Sequence, residues 1–169
     1  MNLTIRKEAN RDVKAIRQVV AAAFENHPQS NQTEHLLVER LREAGALTIS
    51  LVAEVEGHVV GHIAFSPVTI AGRECQWYGL GPVSVLPEFQ MEGIGSQLIK
   101  AGMAKLRELQ AVGCVLLGEP EYYGRFGFAV RDGLTLPSVP PEYFLALPFT
   151  KDEIQGTVAY HESFEICNS

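Results

Sequence analysis

The sequence predicts one α/β (α+β) domain over residues 1–169, with a mixed central sheet of about seven strands and helices on both faces. Three observations predict it. Apolar residues recur at helical spacing in two early segments and one central segment. Runs of strand-forming residues bounded by Glu-Gly and Ala-Gly turns lie between and after them. One short run, "CVLLG", is apolar throughout, as befits a central strand covered on both faces.

Taken in order, "NLTIRKE" alternates and reads as a first strand. "NRDVKAIRQVVAAAF" follows as a helix, with Asn10 as its cap and Val13, Ile16, Val20, Ala23 and Phe24 on one apolar face. The polar break "ENHPQSNQ" separates it from a second helix, "TEHLLVERLREAG", capped by Thr33 and stopped by Gly45. "LTISLVAEV" and "HVVGHIAFSPVTI" flank Glu56-Gly57 as a hairpin, and Ala71-Gly72 turns the chain into "CQWYGLGPVSVLP". Gly79, Gly81 and Pro82 interrupt that strand and predict a bulge, or a place where a ligand or another backbone comes close. A third helix carries Ile94, Leu98, Ile99, Met103, Leu106 and Leu109 on its buried stripe and ends at Gly113. "CVLLG" is the next strand, "EPEYYGRFGF" a helix start running into an aromatic strand, and "VPPEYFLALPF" and "GTVAYHESFEI" the last two strands.

Composition narrows the function. A net charge of −6 without a basic cluster disfavours a nucleic-acid surface. No apolar run approaches a membrane span, and "MNLTIRKEAN" has no signal-like apolar region, so a cytoplasmic location is expected. Cys75, Cys114 and Cys167 are too far apart for a redox or metal-ligand spacing, and no metal is expected.

The segment richest in chemistry is "VSVLPEFQMEGIGSQLI", a strand, a glycine turn and a helix start. Glycines allow a tight turn, and the free N–H groups of a helix N-terminus favour an anion. The turn lacks the Gly-Lys-Ser/Thr of a nucleoside-triphosphate loop, and Gly93-Ile94-Gly95 lacks the third glycine of a dinucleotide fingerprint.

With Pro87, Phe89 and Q-x-x-G-I-G on those elements, the stretch resembles the acetyl-CoA motif of the GNAT N-acetyltransferases. "YYGRFGF", after the next strand, looks like the same family's aromatic-Tyr-x-x-x-Gly-Phe segment. "AFSPVTIAG", "LLGEPEYYGRFGF" and "GTVAYHESF" resemble a bacterial branch described as YhbS-like predicted acetyltransferases. The resemblance implies the GNAT fold, its sheet splayed between the strands at 79–86 and 114–118. It also implies acetyl transfer from acetyl-CoA to a primary amine by direct attack in a ternary complex.

On this resemblance, backbone N–H groups of Gln90, Met91, Glu92, Gly93, Ile94, Gly95 and Ser96 hold the pyrophosphate, and Val83, Ser84 and Val85 bond the pantetheine arm like a neighbouring strand. An N–H near Val83 or Ser84 is the expected oxyanion donor. Tyr123 aligns with the family's leaving-group acid, with Tyr122 as packing. No acid lies on "QWYGLGPVSV", so Glu119 is the nearest candidate base by topology, ahead of Glu34, His35 and His62. An amine of low pKa needs none. That missing carboxylate keeps an alternative open, a non-enzymatic CoA-binding sensor or scaffold, while Tyr123 and the intact glycine turn favour the enzyme. The expected partners are acetyl-CoA and an amine, with a homodimer as a further expectation. Glu92 sits where the anion should lie and no basic residue stands beside it in the turn, so the cradle is expected to rest on backbone alone.

Overall fold

The structure, a computed structural model, describes residues 2–151 and 154–168, so the expected domain bounds reach slightly past what is described. The chain runs β1 (Leu3–Lys7), α1 (Val13–Phe24), α2 (Glu34–Glu43), β2 (Ile49–Val55), β3 (His58–Ile70), β4 (Arg73–Val85), α3 (Ile94–Glu108), β5 (Gly113–Leu117), α4 (Pro120–Gly124), β6 (Leu134–Thr135), β7 (Phe144–Pro148) and β8 (Gly156–Tyr160). β1 to β4 are antiparallel neighbours in chain order; β5 lies parallel to β4, and β7 antiparallel to β5. β8 pairs with the outer end of β3, from Val68 to Ile70, where β2 has already ended.

The sheet is covered on both faces, as the apolar pattern requires. Leu98, Ile99, Met103 and Leu106 of α3 pack with Leu51, Ala53, Ile63 and Phe65 on one face. Ile16 and Val20 of α1 and Val38 of α2 pack on Val52 on the other. β1 is tied to the start of α1 by Arg6, which donates to both carboxylate oxygens of Asp12 at 2.8 and 3.0 Å. Asp12 in turn accepts the Ala9 N–H at 2.6 Å, so it closes this helix start while Asn10 only opens the preceding single turn, Asn10–Asp12. Among the described residues no helix is long and apolar enough to cross a membrane.

The sheet has eight strands, in keeping with the expected mixed sheet of about seven, and the two-residue β6 pairs in parallel with β8. Three expectations are corrected. The aromatic strand after "YYGR" is a single bridge, Ala129 to Ala146, because Phe126 and Phe128 turn into a ring cluster around Tyr123. Gly113 opens β5; α3 ends before it, at Glu108, and Gln110 takes the left-handed turn at φ 62°. Thr33 stands at the cap position of α2, but its hydroxyl bonds Asn31 and leaves the helix N–H groups alone.

Candidate active site

The sheet forks in the middle. β4 and β5 pair only at Trp77↔Gly113, Tyr78↔Cys114 and Gly79↔Val115, and then diverge. Three residues at the fork explain the divergence. β4 carries an extra residue opposite β3, since Ile63 faces Val83 while Phe65 faces Leu80. Gly81 sits there at φ 141°, open only to glycine, and Pro82 has no N–H to give a ladder. The ring of Tyr160 lies over Gly79, where an added Cβ would fall 2.4 Å from Cε1.

Past the fork one edge of β4 is bare. Leu86 N–H donates to Val60 at 2.8 Å, and antiparallel alternation then turns the polar groups of Ser84 toward β3 and those of Val83 and Val85 toward the slot. Gln90 closes the lower end by donating from Nε2 to the Val85 carbonyl at 3.0 Å. Ser84 therefore does not reach the slot through its backbone. Its hydroxyl is buried beneath α1 without a partner, beside the cross-strand His62, whose Nδ1 is also unpartnered. Each such buried orphan costs about 1–3 kcal/mol.

The glycine turn below the slot has the geometry of an anion cradle. Met91 and Gly93 take left-handed φ values of 68° and 83°. The first N–H bonded back from inside α3 is that of Gln97, to Gly93 at 3.1 Å, which leaves the N–H groups of Ile94, Gly95 and Ser96 without a helical acceptor. The side chains of Met91 and Glu92 are exposed.

One cation stands at this helix end, against the expectation of a backbone-only cradle. Arg125 follows α4 and donates from Nε to the Tyr122 carbonyl at 3.2 Å. Its guanidinium lies 4.4 Å over the Tyr122 ring, and Nη2 is 3.4 Å from Ser96 Oγ. Sequence order hid it: Arg125 was in view inside "YYGRFGF", but 29 residues separate it from Ser96.

A cleft of about 520 Å³ runs along the slot, lined by Val83, Val85, Gln90, Glu119, Tyr122 and Tyr123 among others. The Tyr123 ring is seated on Gly118, where a Cβ would fall 2.3 Å from Cε2, and meets Tyr122 edge-on with centroids 4.9 Å apart. Burial and the neighbouring Tyr122 push its phenol up to about 12, so it stays protonated. Its hydroxyl has no hydrogen-bond partner among the described residues. Glu119 is exposed on the cleft wall, at the start of α4.

A second cleft, about 710 Å³, opens on the other side of the fork and shares Phe24, Leu80, Gly81, Pro82 and Leu117 with the first. Its titratable lining is Glu34, Tyr160, His161, Glu162, Glu165 and Cys167, and its lining includes no Lys or Arg. Glu34 accepts from the Ser30 hydroxyl at 2.6 Å. The C-terminal acids of this cleft carried no motif to mark them in the sequence. His35, on α2, lines neither cleft. His62 lines neither as well. It is fully buried in a line from Glu8 through Ser50, whose Oγ is 2.7 Å from His62 Nε2, and burial pushes it down to about 4. A somewhat larger cleft, about 760 Å³, lies away from the fork against α3 and the end of α2.

The acetyltransferase (GNAT) domain family matches residues 4–131. The chain is 34% identical over 169 residues to an uncharacterized N-acetyltransferase, YhbS, of Escherichia coli strain K12, covering 96% of this chain and 98% of that protein. Among solved structures, a GNAT family acetyltransferase from Brucella melitensis in complex with acetyl-CoA is 54% identical, with a TM-score of 0.87 over 96% of this chain and 98% of that one. The Escherichia coli YhbS structure in complex with CoA superposes with a TM-score of 0.89, at 34% identity over 98% of this chain and 93% of that one.

Proposed function

The chain belongs to the GNAT acetyltransferase family, and from that membership we propose that it moves acetyl from acetyl-CoA to a cationic primary amine at the β4/β5 fork. The observation that carries the reading is the meeting of two clefts at Leu80, Gly81 and Pro82, just where β4 loses β5. One cleft suits the donor, and the other the acceptor. The two relatives whose structures hold acetyl-CoA or CoA support acetyl-CoA as the donor.

Each residue then has a task. The free N–H groups at the start of α3 hold the pyrophosphate. The bare edge of Val83 and Val85 bonds the pantetheine amides as a neighbouring strand would. The Val83 N–H polarises the thioester carbonyl and steadies its oxygen as the amine nitrogen bonds to carbon. The C–S bond breaks, and the Tyr123 hydroxyl donates a hydrogen bond to the departing sulfur. Two protons leave the nitrogen in all: one before attack, to solvent or a base, and one as the amide forms. An alkyl ammonium costs about 4–5 kcal/mol to deprotonate at neutral pH. Glu119 is the carboxylate on the donor-side wall, and Glu34, Glu162 and Glu165 are those on the acceptor side.

The acceptor is cationic on this reading because the second cleft presents Glu34, Glu162 and Glu165 without a basic residue in its lining. Apolar walls from Leu37, Leu136, Val139 and Phe164 suit a methylene spacer between its charges. The test compares a primary diamine with a monoamine of equal length, using acetyl-CoA as donor. The diamine should have the higher kcat/KM, and Glu162→Gln with Glu165→Gln should narrow the gap. Equal use of both amines by the unaltered enzyme would defeat the cationic assignment.

A further inference from the structure

We infer that Arg125 is a specificity-determining residue that clamps the CoA pyrophosphate from the α4 side of the slot. The inference deepens the donor-site reading above and rests on it.

The C-terminal end of α4 and the Tyr122 and Phe126 rings hold the Arg125 guanidinium, but they do so beside the N-terminus of α3. The N-terminus of a helix is the positive end of its dipole, and a cation there is unfavourable unless an anion lies between them. Arg125 is nonetheless beside that end of the fifteen-residue α3, with Nη2 at 3.4 Å from Ser96 Oγ. Among the described residues no carboxylate forms an ion pair with it. Its position is also prearranged. Nε is held by the Tyr122 carbonyl at 3.2 Å, and the plane rests 4.4 Å over the Tyr122 ring and 5.5 Å from that of Phe126. Tyr122 is itself 3.4 Å from Ser96 through its hydroxyl.

Donors gather at this helix end. The N–H groups of Ile94, Gly95 and Ser96 have no helical acceptor, Arg125 Nη2 donates to Ser96 Oγ at 3.4 Å, and Nη1 has no acceptor among the described residues. A planar fork with an orientation fixed by stacking suits the two oxygens of a phosphodiester, which a mobile lysine would meet only as a point charge. The phosphates nearest the pantetheine are the target, because Arg125 stacks on Tyr122, which lines the same cleft as the pantetheine edge of Val83 and Val85.

The test needs no amine. Calorimetric affinities of CoA, dephospho-CoA and pantetheine are compared for the unaltered protein, Arg125→Ala and Arg125→Lys. Arg125→Ala should weaken CoA and dephospho-CoA by about tenfold each and pantetheine by less than about twofold, with Arg125→Lys between. An equal loss for all three ligands would mean that Arg125 only props up Tyr122, and would overturn the inference. So would a loss for CoA but not for dephospho-CoA, which would place Arg125 on the ribose phosphate, and so would no loss at all. Circular dichroism melts identify a variant that has not folded, in which case Arg125→Lys and Arg125→Gln carry the comparison. Failure to acetylate any amine would count against the catalytic reading and leave these affinities interpretable.

Discussion

Replacing Tyr123 by Phe separates two ways in which a phenol can help a thiolate depart. The phenol is held at about 12 by burial and by Tyr122. A thiol has a pKa of about 8.5, so full proton transfer from Tyr123 to sulfur is uphill by about 5 kcal/mol. The role proposed for the phenol is therefore that of a hydrogen-bond donor. A hydrogen bond to a charged partner contributes about 1.5–3 kcal/mol, so Tyr123→Phe should lower kcat by roughly 10- to 100-fold. The ring remains over Gly118, which keeps the fold and the acetyl-CoA affinity. The assay is thiol release from acetyl-CoA with a saturating amine, from pH 6 to 9. The ratio of unaltered to variant rate should be flat across that range, because the phenol does not titrate within it. An unchanged rate removes Tyr123 from the chemistry. A ratio that shrinks as the pH rises through 8 would mean that the phenol does titrate there, and the argument from burial would be wrong.

Three further outcomes are expected. Gly79→Ala drives a Cβ to 2.4 Å from the Tyr160 ring at the root of the fork, so it should destabilise the fold by about 1–3 kcal/mol, read as a lower midpoint in urea. Glu92→Lys replaces a repulsion of about 1 kcal/mol toward two phosphate charges by an attraction of similar size and should tighten CoA by up to about thirtyfold at low salt, measured by calorimetry. His62 is held at about 4, against an unfolded value of about 6.5, so its stabilising effect is full above pH 6.5 and is lost as the pH falls toward 4. Desolvation is the main cause, with Glu8 opposing it and Arg42 adding to it. Between pH 7 and 5 that loss is about 2 kcal/mol, and His62→Gln should flatten the pH dependence of the urea midpoint by that amount.

How much of this was legible in the sequence depended on whether the signal was local. The glycine turn, the bulge at Gly81-Pro82 and both hairpin turns are short-range devices, and each stands where the residues put it. The fork between β4 and β5 was expected from the family resemblance, and the ladder ends there. β6 could not be read, because two residues inside "GLTLPS" carry no alternation and depend on β8 for their pairing. The aromatic strand failed because rings at 123, 126 and 128 satisfy a strand pattern and a ring cluster equally well. Backbone direction was likewise out of reach. Only the Leu86 to Val60 hydrogen bond reveals that Val83 and Val85, and not Ser84, face the slot. Arg125 and the acids after Tyr160 reach the site through tertiary packing alone.

On the proposed reading an amine attacks an acetyl thioester at the β4/β5 fork, where the two clefts meet. The most direct measurement is turnover of acetyl-CoA against a panel of primary mono- and diamines, with the product amide identified by mass spectrometry. One N-acetylated amine is expected for each CoA released, with loss of turnover when Pro82, shared by both clefts, is replaced by Trp. Tight CoA binding with no acetylated amine from any member of the panel would contradict that reading and favour a CoA sensor.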